Sequence, residues 1–351
     1  MARALDLAWR GWGRVQPNPL VGAVVLAGGN SVGEGWHPEY GERHAEALAL
    51  ADAGERARGA TLVVTLEPCA HQGQQPPCTD TIVRSGVRRV VAAMTDPHPI
   101  AAGGGERLRA AGIEVEFGSL SDVARAQNAM FLHSVHEPGR PFIALKLATT
   151  LDGRIADGFG RSRWISGTEA RDYVQWLRAG FDAIAVGGRT ARVDDPSLTV
   201  RGTVKPRIPP RRVIFDRVAD LGPQLTLVRT AADTPTLAVV APDADPGRVK
   251  RLESAGVTVV RAGSLADALG SLRQLNIGSL LVEGGGELAG ALLRAGLVDR
   301  YYWIQAPFWL GEGAVPALAG LPGRELDQAE RWRVVERRAL GEDTLLVLDR
   351  R

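Results

Sequence analysis

Three lysines and two cysteines in 351 residues are the scarcest features of this sequence, and each shortage narrows what the chain can be. Cys69 and Cys78 are too few for a disulfide framework. Two cysteines in an enzyme of this size read instead as metal ligands or catalytic groups, in a reducing compartment. Lysine stands only at Lys146, Lys205 and Lys250, arginine carrying the remaining positive charge, so a lysine inside an apolar run is unusual here. Aromatic residues make up 5% and the formal net charge is +2. That gives little support to the strongly basic, aromatic-lined groove of a nucleic-acid binder or the polybasic face of a membrane-surface protein. No apolar run approaches the roughly 18 residues of a membrane span. Residues 1–10 mix charged with apolar side chains where a signal peptide would need an apolar core. These absences predict a cytoplasmic protein with neither a membrane nor a nucleic-acid partner.

A single hydrophobic core seldom grows beyond roughly 250–300 residues, so this length predicts two domains. Apolar spacing and turn residues give helix at 2–10, strands at 20–27 and 31–35 around the turn Gly28-Gly29-Asn30, and helix at 44–53. Strand 60–66, a short helix closing at Gly86, strand 87–94, helix 106–111, strand 113–117 and one helix over 122–133 follow. Two prolines and a glycine between 136 and 141 break the periodicity and mark a linker, with domains at 1–140 and 141–351. The second half restarts with strands at 142–147, 182–186, 211–215, 237–240, 257–260, 279–282, 300–306 and 344–348. Helices at 168–179, 247–255, 265–275 and 287–295 alternate with them. Such alternation predicts α/β layers with helices packed on a central sheet.

A polar loop, Thr65-Leu66-Glu67-Pro68-Cys69-Ala70-His71 through Pro77-Cys78, closes the strand at 60–66. Upstream lies His44-Ala45-Glu46. Imidazole and thiolate are the ligands zinc prefers, and three protein ligands leave a fourth place for water, as in a catalytic site. His44, Cys69 and Cys78 make three, and Glu46 is placed to move protons if His44 sits at the irregular entrance of its helix, since an offset of two points away on a regular one. His-x-Glu followed by Pro-Cys and a second Cys is the pattern of zinc deaminases, in which the glutamate shuttles protons and does not bind metal. Here the gap between the cysteines is widened to eight residues. Two other readings stand beside this one: a nucleoside or nucleic-acid deaminase with an accessory domain, and a structural-zinc binding module that takes His37 or His71 as a fourth ligand.

Together with Gln16-Pro17-Asn18-Pro19-Leu20-Val21-Gly22 and Gly33-Glu34-Gly35-Trp36-His37, these motifs closely resemble the deaminase half of the bifunctional riboflavin-biosynthesis deaminase/reductase family. The resemblance implies a cytidine-deaminase-like three-layer domain holding one zinc through His44, Cys69 and Cys78, with Glu46 as proton shuttle. It implies a phosphorylated diaminopyrimidinone as substrate and places Asn18, His37 and His71 around it. Where the family usually carries a basic residue and threonine before Pro-Pro-Cys, this chain has Gln74-Gln75. A neutral amide holds a phosphate less strongly than a cation does, so weaker anchoring, or an arginine from elsewhere, is expected.

Lys146 interrupts the apolar run 142–147, where its charge is costly unless answered. Polar loops follow the strands at Leu151-Asp152-Gly153-Arg154, Ser162 to Ser166, Gly187 to Thr190 and Asp194 to Arg201, and Glu283-Gly284-Gly285-Gly286 joins a strand to a helix. Strand ends are where α/β folds place ligands, and a glycine turn entering a helix suits a phosphate. These motifs resemble the reductase half of the same family, which has a dihydrofolate-reductase-like α/β fold and uses NADPH. The resemblance implies reduction of a ribosyl group to ribityl. It puts Ala148, Trp164, Thr190, Asp194, Gly284, Gly285 and Gly286 at NADPH, and Ser162, Arg178, Leu198, Arg201 and Glu283 at substrate. Arg178 and Arg201 suit phosphate, and Lys146 and Glu283 are placed to flank the reacting carbon. The family resemblance also implies a homo-oligomer, a dimer or tetramer.

Overall fold

A computed structural model describes residues 1–73 and 75–351, and the chain divides into two compact units, Met1–Glu137 and Pro138–Arg351. In the first, α1 (Ala2–Ala8) precedes β1 (Gly22–Ala27) and β2 (Asn30–Trp36), which pair as an antiparallel hairpin. Then come α2 (Ala45–Ala53), β3 (Thr61–Val64), α3 (Cys78–Ser85), β4 (Arg89–Ala92), α4 (Gly104–Ala110), β5 (Glu114–Phe117), α5 (Ser121–Gln127) and α6 (Ala129–His136). The sheet order is β2-β1-β3-β4-β5, antiparallel up to β3 and parallel beyond it.

Side-chain alternation along β1 builds a three-layer sandwich. Gly22 faces α1, where a Cβ would fall 2.0 Å from the Ala4 carbonyl oxygen. Its neighbour Ala23 pairs with Gly35 of β2, which faces the opposite layer against Ala45 and Ala49 of α2. Ala23, Val25, Leu62, Val64, Val90 and Ala92 form the core under α2, together with Cys69 and Cys78. The single helix expected over 122–133 is two, broken at Asn128. The Asn128 side chain accepts from Leu20 N and donates to Leu20 O, a buried pair of bonds that periodicity does not announce.

The second unit runs β6 (Phe142–Thr149), β7 (Arg154–Ala156), α7 (Thr168–Arg178), β8 (Ala183–Gly187), α8 (Gly188–Asp194), β9 (Arg211–Phe215), α9 (Thr226–Arg229), β10 (Thr236–Val240) and α10 (Pro246–Ser254). It continues with β11 (Thr258–Arg261), α11 (Leu265–Gln274), β12 (Ser279–Glu283), α12 (Gly286–Arg294), β13 (Arg300–Gln305), β14 (Val315–Pro316), β15 (Arg333–Leu340) and β16 (Asp343–Asp349). Nine strands form one sheet in the order β11-β10-β9-β8-β12-β6-β13-β16-β15. The pairs from β11 to β13 are parallel, and β16 and β15 add an antiparallel edge. Near-continuous apolar runs such as Ser279–Glu283 are what strands covered on both faces require. Residues 188–194, expected as loop, form α8, in which only Gly188 and Ala191 are buried, so no apolar period marks it. β15 was also missed, because Arg333–Leu340 is an edge strand with charged residues along most of its length.

Candidate active sites

Glu67 and a glycine run hold the cysteine loop in place. The buried Glu67 carboxylate accepts from Gly105 N at 2.8 Å and Asp96 N at 3.0 Å, fastening the loop after β3 to the start of α4 and to the segment after β4. Gly104 lies so close that a Cβ would stand 1.7 Å from the Pro68 carbonyl oxygen. Glu67 has no expected role in the sequence, where the run Gly103-Gly104-Gly105 is the available signal. Gly104→Ala is therefore expected to displace Pro68 and Cys69, destabilising the first unit by about 1–3 kcal/mol as overpacking does. Metal content after purification and the denaturation midpoint check this, with Gly103→Ala, which meets open space, as a control for backbone freedom alone.

His44 is the N-cap residue of α2, in extended backbone (φ −72°, ψ 159°), so it and Glu46 are not bound by the regular helical offset. Cys78 is the first residue of α3, with Pro77 as N-cap. His44 Nδ1 lies 3.1 Å from Cys78 Sγ and 3.6 Å from Cys69 Sγ, and the three donor atoms fall within 4.8 Å of one another. A tetrahedral zinc with Zn–N near 2.0 Å and Zn–S near 2.3 Å holds its N and S ligands about 3.5 Å apart. The donor set therefore fits the ion in chemistry and in spacing.

The electrostatics suit the same purpose. Hydrogen bonding from Cys78, opposed by burial and aided by His44, draws Cys69 down to about 4. Cys78 retains the shared proton and is pushed well up. Its hydrogen bond to Cys69 raises His44 against the effect of burial. Glu46 is buried, and desolvation raises its carboxyl above the usual range, toward the value a neutral-pH acid–base group needs. Burial lowers His37. Its Nδ1–H donates to Arg43 O at 3.3 Å, and its Nε2 accepts from Asn18 Nδ2 at 3.2 Å. With both nitrogens engaged, His37 is not a fourth ligand, and among the described residues the cluster contains only His44, Cys69 and Cys78. His71 Nδ1 is buried with no partner among the described residues, as a group reserved for a ligand would be. Gln75 Nε2 donates to Gly41 O at 2.9 Å, whereas Gln74 lies outside the described residues.

In the second unit, parallel register sets Lys146 of β6 beside Glu283 of β12. Arg178, the last residue of α7, grips Glu283 with a two-pronged contact, Nε to Oε1 at 2.6 Å and Nη2 to Oε2 at 2.9 Å, while Nη1 donates to Thr199 O at 3.0 Å. Burial alone would raise the Glu283 carboxyl, but Arg178 and Lys146 outweigh it and the net shift is downward. Burial lowers Lys146, Glu283 opposing and Arg178 reinforcing. From sequence alone Arg178 and Arg201 share one expected role. The structure separates them: the Arg178 guanidinium is committed to Glu283, and Arg201 is exposed on the wall.

One cavity of about 1580 Å³ is lined by Lys146, Ala148, Ser162, Trp164, Arg178, Thr190, Asp194, Leu198, Arg201, Glu283, Gly284, Gly285 and Gly286. Ser162 Oγ donates to Asp194 Oδ1 at 3.3 Å, and Arg171 stacks on the exposed Trp164 at 4.7 Å. Gly284 and Gly285 adopt φ of 67° and 78°, the left-handed region that side chains avoid. A Cβ on Gly285 would come 2.9 Å from Thr190 Oγ1 and one on Gly286 2.4 Å from Pro316 O, so the turn is a cradle that only glycine leaves open. Arg212 was missed altogether. It is fully buried, bonded to Thr230 Oγ1, Thr236 Oγ1 and the carbonyls of Thr230 and Thr234, and it reaches Ser197 O at 3.5 Å beside Leu198.

Residues 1–94 match the cytidine and deoxycytidylate deaminase zinc-binding region, and residues 141–346 match the RibD C-terminal domain. Riboflavin biosynthesis protein RibD of Aquifex aeolicus is 40% identical over 351 residues, covering 100% of this chain and 97% of its own. The chain belongs to the RibD family. The solved structure of RibD from Acinetobacter baumannii superposes with a TM-score of 0.82 at 37% identity, covering 99% of this chain and 97% of that one. That of the Thermotoga maritima diaminohydroxyphosphoribosylaminopyrimidine deaminase/5-amino-6-(5-phosphoribosylamino)uracil reductase gives 0.83 at 34% identity, covering 100% and 97%. This chain is accordingly a bifunctional deaminase and reductase of riboflavin biosynthesis, with a zinc-binding deaminase domain and an NADPH-dependent reductase domain. No helix among the described residues is long and apolar enough to cross a membrane.

Proposed function

We propose that the first unit hydrolytically deaminates 2,5-diamino-6-(5-phosphoribosylamino)pyrimidin-4(3H)-one and that the second reduces the ribosyl group of the resulting 5-amino-6-(5-phosphoribosylamino)uracil to ribityl. The observation that carries this reading is that each unit gathers its own reacting set: His44, Cys69 and Cys78 beside buried Glu46 in one, Lys146 and Glu283 in the wall of a single large cavity in the other. Zinc, when bound by His44, Cys69 and Cys78, lowers the pKa of water and so supplies the nucleophile at neutral pH. Glu46 takes the first proton of the attacking water and hands it to the ring nitrogen, then takes the second, from the added hydroxyl, and hands it to the amine, which departs as ammonia while the carbonyl forms. Asn18, His37 and His71, whose Nδ1 has no partner among the described residues, orient the pyrimidine.

NADPH supplies the hydride in the second unit. The Gly284–Gly286 turn admits its phosphates close to backbone, while Ala148, Trp164, Thr190 and Asp194 complete its wall. Ser162, Leu198, Arg201 and the Arg178–Glu283 pair receive the ribosyl substrate, with Lys146 beside the reacting carbon. The enzyme acts on small molecules in the cytoplasm, where its two free cysteines stay reduced, and we read it as a homo-oligomer on family resemblance. The test supplies the diaminopyrimidinone ribosyl phosphate to pure protein and follows ammonia release and NADPH loss separately. Stripping the metal is expected to abolish ammonia release and leave NADPH consumption on the deaminated compound intact. Loss of both together, or of neither, would overturn the assignment of one reaction to each unit.

A further inference from the structure

Arg212 is a charge buried in the middle of a sheet with no carboxylate to answer it. It stands in β9 and is 1% exposed. Burying a cation is costly unless its polar hydrogens are all taken up, and a guanidinium carries five of them in one plane. Among the described residues every acceptor they meet is neutral. Nε donates to Thr236 Oγ1 of β10 at 2.9 Å, and Nη1 to Thr230 Oγ1 at 2.8 Å. Nη2 donates to Thr234 O at 2.7 Å and Thr230 O at 2.9 Å, with Leu227 O at 3.4 Å. Leu227 belongs to α9 and Thr230 is its C-cap, so the guanidinium fastens the end of that helix to β9 and β10.

The start of α9 supports a strained segment. Asp195 Oδ1 accepts from Thr226 N at 2.7 Å, and Oδ2 from Thr226 Oγ1 at 2.9 Å. Two positions on, Ser197 O faces Arg212 Nη1 itself, but at 3.5 Å, so the tie through the helix is the firmer one. The Leu198 side chain packs in one core cluster with Leu225, Leu227 and Val228. The far end of the segment is tied to α7. Thr199 O accepts from Arg178 Nη1 at 3.0 Å, and Arg201 N donates to Gln175 Oε1 at 2.8 Å. Asp195 and Leu198 have φ of 39° and 48°, a region L residues avoid. Backbone of this kind persists only where its surroundings over-determine it. Leu198 and Arg201 line the cavity beside Arg178, whereas Arg212 does not.

We propose that Arg212 is a positioning residue of the reductase. By holding α9 it keeps residues 195–201 on their strained course, and with them the wall that takes the ribosyl substrate and the carbonyl that steadies Arg178 on Glu283. The inference rests on the reading that this wall receives that substrate. Lysine cannot replace Arg212, because an ammonium offers three donors from one point where the site is built for a planar fork.

Steady-state reduction of 5-amino-6-(5-phosphoribosylamino)uracil by the full chain tests this, with NADPH Kd read separately by nicotinamide fluorescence. In Arg212→Lys, kcat/KM for the ribosyl substrate is expected to fall by about 10²-fold, the cost of roughly 1 Å of misplacement, with KM raised. NADPH Kd and ammonia release stay as in the unaltered chain. A role in stability alone would reduce the amount of folded enzyme, lowering kcat at unchanged KM. Asp195→Ala, at an exposed position, removes the same support from the other end of α9 and is expected to raise the same KM several-fold. Asp195→Asn restores it, since the amide keeps an acceptor for Thr226 N and tolerates left-handed backbone. Where Arg212→Lys does not fold, Asp195→Ala decides alone. An unchanged KM in Asp195→Ala, a fall in kcat alone in Arg212→Lys, or equal weakening of NADPH binding would overturn the proposal. Absence of reduction in the unaltered chain would be a different result, overturning the reading of this cavity and this inference with it.

Discussion

Glu46→Gln is expected to slow ammonia release by about 10²- to 10⁴-fold, the usual contribution of a positioned acid–base group, while NADPH consumption on the deaminated substrate stays unchanged. The amide keeps the shape of a side chain that is 3% exposed in a closely packed wall, so the fold is retained. What is lost is the ability to accept and return a proton, and among the described residues no carboxylate joins the His44, Cys69 and Cys78 cluster to take its place. Metal content is the control that gives the result its meaning. A shuttle that is not a ligand leaves zinc bound at the level of the unaltered chain. Ammonia release that persists in Glu46→Gln would sink the role assigned to Glu46, and loss of metal along with activity would make Glu46 a structural support of the site.

How much of this was legible in the sequence depended on whether a feature is local. The deaminase site was readable because its ligands stand in short motifs next to regular elements, and His44 at a helix entrance follows from the need for His44 and Glu46 to share a site. Strands such as Thr236–Val240 were readable because they are near-continuous apolar runs between turns. The second site was less so. Lys146 stood out as a rare lysine in a strand, yet its neighbour Glu283 lies 137 positions later, and only the parallel pairing of β6 with β12 joins them. Arg178 was read as a phosphate partner, and what the sequence did not show is that its guanidinium also holds Glu283. Glu67, Gly104 and Arg212 were invisible for a related reason. Their partners are backbone groups of distant segments, which no motif records.

Glu283→Gln is expected to be the most damaging single change in the reductase unit, because it removes one charge from a cluster of three. Arg178 and Lys146 would remain in the cavity wall with no counter-charge, and breaking a buried pair in this way costs about 3–5 kcal/mol. The native cluster is not an especially stabilising arrangement, since desolvation offsets much of the attraction. In the function proposed here its value is chemical: it holds a carboxylate and an amine side by side on adjacent strands in the cavity wall. That distinction can be measured. Adding Arg178→Met to Glu283→Gln removes the stranded guanidinium and is expected to recover much of the lost stability in urea unfolding, while NADPH-dependent reduction stays absent. Deamination, followed by ammonia release in the same preparations, is expected to be unaffected in both variants. If the two substitutions destabilise additively, as those of independent sites do, the bidentate contact between Arg178 and Glu283 is not an energetic unit. If the double variant reduces substrate at the original rate, Glu283 has no part in the chemistry.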